Sequence, residues 1–317
     1  MSRRIETHAV HANGLTFEVD TCGVGDRLAL CLHGFPELAF SWRHQLPLLA
    51  RLGYRVWAPN LRGYGRTSRP ASAADYALPH LVADVAGLID AAGARQALLI
   101  GHDWGGAIAW HAALRHPQRL ERLIVLNMPH PACFLDGLAG WRQRLRSWYI
   151  AAFRVPWLPE RLLAAGHGWL AAEAMAATAS DRSRFPPAVL GVYRDAASRP
   201  GAMKAMIDYY RALPLAGPPP DAVAALREPI EIPTLMIWGE DDFALGRELL
   251  RGTRAFVPNL VLRTLPGISH WVQQEAPETV NALIAAWLTD RPVPVPLAGG
   301  RVPGAWGPGG EPGVSPA

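Results

Sequence analysis

Lysine is nearly missing from this chain of 317 residues: Lys204 is the only one, and the other basic residues are all arginines. The arginines outnumber the acids enough for a net charge of +4, but along the sequence they are dispersed rather than clustered with interleaved aromatics. A nucleic-acid partner is therefore not expected, and the arginine bias reads as genome composition. Cysteine is scarce too. Cys22, Cys31 and Cys133 are an odd number without CxxC spacing, which argues against a disulfide framework and a cysteine zinc site and leaves three reduced, buried thiols. No apolar run approaches the roughly 20 residues that cross a bilayer; runs such as Ala97 to Ile100 and Leu123 to Leu126 are short and bounded by charges or glycines. The opening stretch, Met1 to Val10, holds Arg3 and Arg4 but no apolar body of a secretory or twin-arginine signal. A cytoplasmic protein without a membrane partner is the expectation, as a monomer or homodimer.

About half of the residues are apolar, enough for one large core or two modest ones. From Thr7 to Asp20 the residues alternate about Asn13-Gly14, the strongest short signal for a hairpin. Apolar runs of strand length follow at Leu28 to Leu32, Arg55 to Pro59, Gln96 to Ile100, Arg122 to Leu126, Thr234 to Trp238 and Leu260 to Leu265. Most are continuously hydrophobic, as parallel strands covered on both faces must be. Amphipathic stretches such as Leu78 to Ala92 and Gly106 to Arg115 alternate with them, which predicts a doubly wound α/β domain. The alternation breaks after Met128-Pro129-His130-Pro131, and about 100 residues of helical, Trp- and Arg-rich sequence intervene before Pro233. The expected organisation is thus a core over 1–130 and 232–290, a helical lid inserted over 131–231, and a tail over 291–317 whose Pro/Gly-rich composition predicts disorder and dispensability.

Chemistry concentrates where strands end. Leu98-Leu99-Ile100 runs into Gly101-His102-Asp103-Trp104-Gly105-Gly106, a strand, a sharp turn with glycines on both sides, and a helix start. Such a turn lifts the central side chain above the strand end while the helix N-terminus points at it. It reads as a nucleophile elbow with aspartate at its apex, although an aspartate there can also be a plain helix N-cap. The strand Leu28 to Leu32 leads into His33-Gly34-Phe35-Pro36-Glu37, so the backbone N–H groups of Phe35 and Trp104 can converge as an oxyanion hole. A cis bond before Pro36 would aim that loop. Two further strand ends carry Gly239-Glu240-Asp241-Asp242 and Gly267-Ile268-Ser269-His270-Trp271. The order nucleophile, acid, histidine is that of α/β-hydrolases, with Asp242 or Asp241 as the acid and His270 as the general base; proteins that this stretch resembles place the acid three residues beyond the glycine of Trp-Gly, which implies Asp242. The other ten histidines carry no comparable context and read as surface or structural residues.

His-Gly-Phe-Pro-Glu, Gly-His-Asp-Trp-Gly-Gly, Trp-Gly-Glu-x-Asp and Gly-Ile-Ser-His-Trp together resemble the motif set of the epoxide hydrolase family of the α/β-hydrolase fold, over roughly residues 8 to 288. The fold implied is a mostly parallel central sheet flanked by helices with an inserted helical lid. The lid segments Ser147-Trp148-Tyr149 and Asp208-Tyr209-Tyr210-Arg211 resemble those that bear the family's two ring-opening tyrosines. The resemblance therefore implies Tyr149 and Tyr210 as epoxide activators, with Tyr209 the fallback, since neighbours on a helix point about 100° apart. It implies an epoxide and water as substrates, and the reaction requires no metal or organic cofactor; a buried site of this type is expected to be apolar and to take a small apolar epoxide, with Phe35, Trp104, Trp148 and Trp157 as substrate contacts and Trp169 and Met206 also lining the cavity. Haloalkane dehalogenases share the Asp nucleophile and the following Trp but commonly place Asn or another halide partner where this chain has Phe35. Fluoroacetate dehalogenases usually have Arg where this chain has Trp104. A serine esterase is disfavoured by the aspartate, and a non-catalytic ligand-binding protein on the same fold by the completeness of the set.

Overall fold

The computed structural model describes residues 4–215 and 217–302. Eight strands form one sheet in the order β1-β2-β4-β3-β5-β6-β7-β8. They are β1 Glu6–Ala12, β2 Leu15–Cys22, β3 Arg27–Leu32, β4 Tyr54–Pro59, β5 Ala97–His102, β6 Leu120–Leu126, β7 Thr234–Gly239 and β8 Leu260–Leu265. The hairpin β1–β2 turns at Asn13-Gly14, both with positive φ, and β2 pairs antiparallel with β4. Every later pairing is parallel.

Side chains of a strand alternate between its two faces, and here both faces are covered. In β3, Leu28, Leu30 and Leu32 join one core cluster while Ala29 and Cys31 join the other; in β7, Met236 and Trp238 part from Leu235 and Ile237 in the same way. The continuous hydrophobicity of these strands follows from that double burial. Helices α1 Leu46–Arg51, α2 Leu78–Ala91 and α3 Trp104–Arg115 lie between the first six strands. Between β6 and β7 run α4 Pro131–Gly137, α5 Trp141–Arg146, α6 Trp148–Ala152, α7 Leu158–Ala177, α8 Pro187–Ala197, α9 Ala202–Arg211 and α10 Pro220–Ala225. The last are α11 Thr253–Phe256, α12 Val272–Glu275 and α13 Pro277–Leu288. Cys22, Cys31 and Cys133 are buried and, among the described residues, form no disulfide.

The helical insert is tied to the core by specific bonds. Tyr209 donates its hydroxyl to the Arg62 carbonyl at 2.8 Å, and Tyr193 donates to Gln274 Oε1 at 2.8 Å. Trp271 Nε1 donates to Thr178 Oγ1 at 3.1 Å, while Glu275 accepts from the Asp181 backbone at 2.7 Å. Beneath Tyr209, Arg62 and Asp84 form a buried two-pronged ion pair at 2.6 and 2.8 Å. Helix α7 is broken at residues 165–168, where Gly168 has φ +69 and a Cβ would stand 2.7 Å from the Arg194 carbonyl.

The first part of the expected tail makes contacts with the core. Residues 291–302 lie against the core: Arg263 donates to the carbonyls of Val293 and Pro294, Thr279 to that of Gly300, and Val302 is buried in the second cluster. Low hydrophobic content did not matter because three polar anchors and one valine suffice for a segment lying on a preformed surface. Residues 303–317 lie outside the described residues. Removing 291–317 is expected to lower unfolding free energy by about 2–4 kcal/mol, from one buried aliphatic side chain and several hydrogen bonds. Urea unfolding of the truncated and full chains measures this, and equal midpoints would return the whole tail to the dispensable class.

Candidate active site

The parallel strands deliver their carboxyl ends to one rim, which is where open α/β sheets bind ligands. At the end of β5 the chain turns on Asp103, held at φ 49, ψ −120, before α3 begins. A non-glycine residue at positive φ is a strained backbone that surrounding structure must impose. Close packing imposes it: a Cβ on Gly105 would stand 2.1 Å from the Leu32 carbonyl, and one on Gly101 2.3 Å from the Gly105 carbonyl. Only glycine fits at either place. The Asp103 carboxylate makes no N-cap bond to its own helix. Instead it accepts the Phe35 N–H at Oδ1, 2.8 Å away, and its Oδ2 lies 3.6 Å from His270 Nε2. The Phe35–Pro36 peptide is cis.

His270 is gripped from behind. Its Nδ1 donates to Asp242 Oδ2 at 2.7 Å, and Asp242 is fixed by the N–H groups of Ala244 and Leu245, each 2.8 Å from Oδ1. The geometry pairs His270 with Asp242, while Asp241 faces solvent. Burial alone would drive the proton off His270, but the Asp242 and Asp103 charges and the Asp242 hydrogen bond outweigh it and hold its pKa well above the ordinary histidine value. Asp103 shows the complementary balance: burial disfavours its charge, yet the neighbouring His270, His102 and the Phe35 N–H leave its pKa below the usual value.

Above Asp103 the insert contributes aromatic rings. Tyr210 stands edge-on to Phe35 with centroids 5.4 Å apart, to Trp104 at 5.2 Å and to Tyr149 at 5.8 Å. Phe153 closes the group, 5.3 Å from Phe35 and 5.0 Å from Tyr210. Burial first, then the Asp103 charge, pushes both the Tyr149 and the Tyr210 phenol above the ordinary tyrosine value, so both are protonated donors at neutral pH. Tyr209 points elsewhere, its hydroxyl spent on Arg62. The structure thus brings together Asp103, His270, Asp242, Phe35, Trp104, Tyr149 and Tyr210.

It does not bring Trp148 and Trp157 into that group. Trp148 is 68% exposed, Trp157 60% and Trp169 51%, so the expectation that they wall the pocket is corrected. Trp148 begins α6 immediately beside Tyr149, and consecutive helical residues diverge by about 100°; with Tyr149 turned inward, Trp148 faces out. Met206 is fully buried in α9. Phe153, one turn after Tyr149 on the same helix face, occupies the place expected for the tryptophans.

Sequence reasoning also missed three buried polar residues. Glu37 accepts from Gly34 N, His102 Nδ1, Gln273 Nε2 and Gln274 Nε2 at 2.7–3.1 Å. His102, set aside as structural, lies 2.7 Å from Glu37 and donates Nε2–H to the His270 carbonyl at 2.9 Å. Asn127, at φ 40 after β6, donates to Asp242 Oδ2 at 2.7 Å and accepts from Gly239 N at 2.8 Å. A charge buried in a motif must find partners, so Glu37 next to the oxyanion segment and the Gln273-Gln274 pair after His270 were the available signal.

Comparison with known proteins shows the family to which this fold belongs. The family model described as alpha/beta hydrolase fold matches residues 30–277. The AB hydrolase superfamily protein YfhM of Bacillus subtilis (strain 168) is 37% identical over 290 residues, covering 90% of this chain and 99% of that protein. Epoxide hydrolase 4 of Homo sapiens is 35% identical over 289 residues, covering 88% and 77%. Among solved structures, the Bacillus megaterium epoxide hydrolase in complex with an inhibitor superposes with a TM-score of 0.82 at 27% identity, covering 89% of this chain and 100% of that one.

Proposed function

Since this chain belongs to the α/β-hydrolase fold family, and within it to the epoxide hydrolases, we propose that it opens an apolar epoxide to a vicinal diol through an ester on Asp103. The observation that carries this reading is the placement of one carboxylate between a backbone donor and a histidine, under two protonated phenols.

In the first half-reaction Tyr149 and Tyr210 hydrogen-bond the ring oxygen, and an Asp103 oxygen attacks a ring carbon. The C–O bond breaks, its electron pair goes to the ring oxygen, and one phenol supplies the proton. A carboxylate suits this step because it is ionised without a base to activate it, and the lowered pKa of Asp103 keeps it so. Elevated phenol pKa values keep the tyrosines protonated but still able to give a proton to a more basic alkoxide.

Esterification removes the Asp103 charge, and with it part of what held the proton on His270, and that proton passes to the phenolate. Neutral His270 then takes a proton from water, whose oxygen attacks the ester carbonyl carbon. The Phe35 and Trp104 N–H groups receive the oxyanion. Collapse expels the diol oxygen, which takes the proton of the attacking hydroxyl and leaves as a hydroxyl, restoring the Asp103 carboxylate beside protonated His270. Asp242, anchored by Asn127 and two backbone donors, keeps His270 in the tautomer with Nε2 free. The aromatic wall of Phe35, Trp104 and Phe153 favours an apolar substrate.

His270→Gln tests the scheme, because it removes the base and leaves the nucleophile. Incubation with styrene oxide is expected to add the mass of one substrate to the intact protein, on the peptide that contains Asp103, with diol formation stalled. A variant that neither turns over nor acquires an adduct, while its Asp103 remains intact and its fold unchanged, contradicts the ester.

A further inference from the structure

Large apolar side chains left in solvent recur over residues 141–170 of the insert. Trp141, Leu145 and Trp148 follow one another at i, i+4 and i+7 across the junction of α5 and α6, where Ser147 keeps near-helical dihedrals of φ −87 and ψ 12. Trp157, Leu158 and Leu162 are exposed at the start of α7. Trp141 is 64% exposed, and a monomer in water rarely arranges so many rings this way without a use for them.

The same stretch is cationic. Residues 141–170 contain Arg142, Arg144, Arg146, Arg154 and Arg161 against one acid, Glu160, which is occupied by Arg211 at 2.7 Å. Among the described residues none of these five arginines meets a carboxylate. Arg142 lies over the Trp141 ring and Arg161 over the Trp157 ring, 5.5 and 5.3 Å from their centroids, while Arg144, Arg146 and Arg154 donate to carbonyls. Beside Trp141 a cleft of about 550 Å³ is lined by Arg142, Arg247 and Arg251, with Glu248 also in its wall and Arg247 paired with Glu240 at 2.7 Å. Tryptophan and arginine alternating on a helical surface is the composition of an element that lies in a bilayer interface, the rings at headgroup depth and the cations on anionic phosphates.

We propose that the α5–α7 face docks the protein on the surface of an anionic lipid bilayer, with a lipid phosphate seated in the arginine cleft. The attachment is peripheral: among the described residues no helix is long and apolar enough to cross a membrane. It revises the expectation of no membrane partner, which rested on the absence of spanning runs. A second copy of this chain is the poorer occupant, because a two-fold contact would press the same cationic surface against itself.

The test is co-sedimentation of the full chain with phosphatidylcholine vesicles, with and without phosphatidylglycerol, alongside tryptophan emission. Binding and a blue shift are expected only with the anionic vesicles, and both should fall as salt is raised. Each arginine near an anionic leaflet contributes roughly a fivefold gain in affinity, so Arg142→Glu with Arg161→Glu should weaken binding at least about twenty-five-fold. Trp157→Ser should reduce the blue shift. Equal affinity for neutral and anionic vesicles, unchanged binding by the charge-reversed protein, or no vesicle binding would each overturn the proposal, and self-association or capture of an acidic protein would then name the other occupant. If a variant fails to fold, the lipid and salt dependence of the wild type alone still decides it.

Discussion

Replacing Asp103 by alanine is expected to lower diol formation from styrene oxide by at least about 10⁴-fold, the scale on which a covalent nucleophile is missed. No neighbouring carboxylate can substitute. Asp242 is committed to His270, Asn127 and two backbone N–H groups, and Glu37 to four donors. The loss should fall on the rate of ester formation rather than on substrate binding, since the aromatic wall is untouched. Single-turnover product assays, with circular dichroism to establish an intact fold, measure it. Retention of more than about a hundredth of the wild-type rate would mean that water is activated directly and that Asp103 only orients it.

The double replacement Tyr149→Phe with Tyr210→Phe is the second large effect. Each phenol is buried against the other, with ring centroids 5.8 Å apart, and each feels the Asp103 charge. Electrophilic help of this kind contributes about 10²–10⁴-fold, so the pair should reduce epoxide opening by about 10³-fold or more. Each single variant should retain part of the activity, because the remaining hydroxyl still reaches the oxygen. Volume is conserved, and stability should change little. The same experiment separates the proposal from dehalogenation: release of bromide from 1-bromobutane needs no proton donor on oxygen. If the double variant liberates bromide as fast as the wild type and the wild type opens no epoxide, the tyrosines are pocket walls and the chain is a dehalogenase.

Much of this arrangement was legible because local chemistry and long-range geometry coincide. Asn13-Gly14 requires positive φ and the hairpin turns there; Gly101 and Gly105 flank a turn that nothing larger fits. The strand ends at 33, 103, 242 and 270 converge because parallel strands of one sheet all end at the same rim. What was not legible depended on partners distant in sequence. Glu37 and His102 are 65 residues apart and meet only when β3 and β5 pair. Trp148 differs from Tyr149 by a single helical step, and no periodicity in so short a helix says which of the two faces inward. The docked part of the tail escaped because composition measures what a segment can bury alone, whereas Val302 and the carbonyls of Val293 and Pro294 use a surface that the core had already built. The five arginines of residues 142–161 are visible in the sequence, but which of them lie over Trp141 and Trp157 depends on how α5, α6 and α7 fold.

The covalent ester on Asp103 is tested most directly by a single turnover in water enriched in ¹⁸O, with enzyme in excess over epoxide. The account predicts an unlabelled diol, one oxygen from the epoxide and one from the carboxylate, and heavy oxygen in the peptide that contains Asp103. Label in the diol and none in Asp103 would show water attacking the ring itself, and would contradict it.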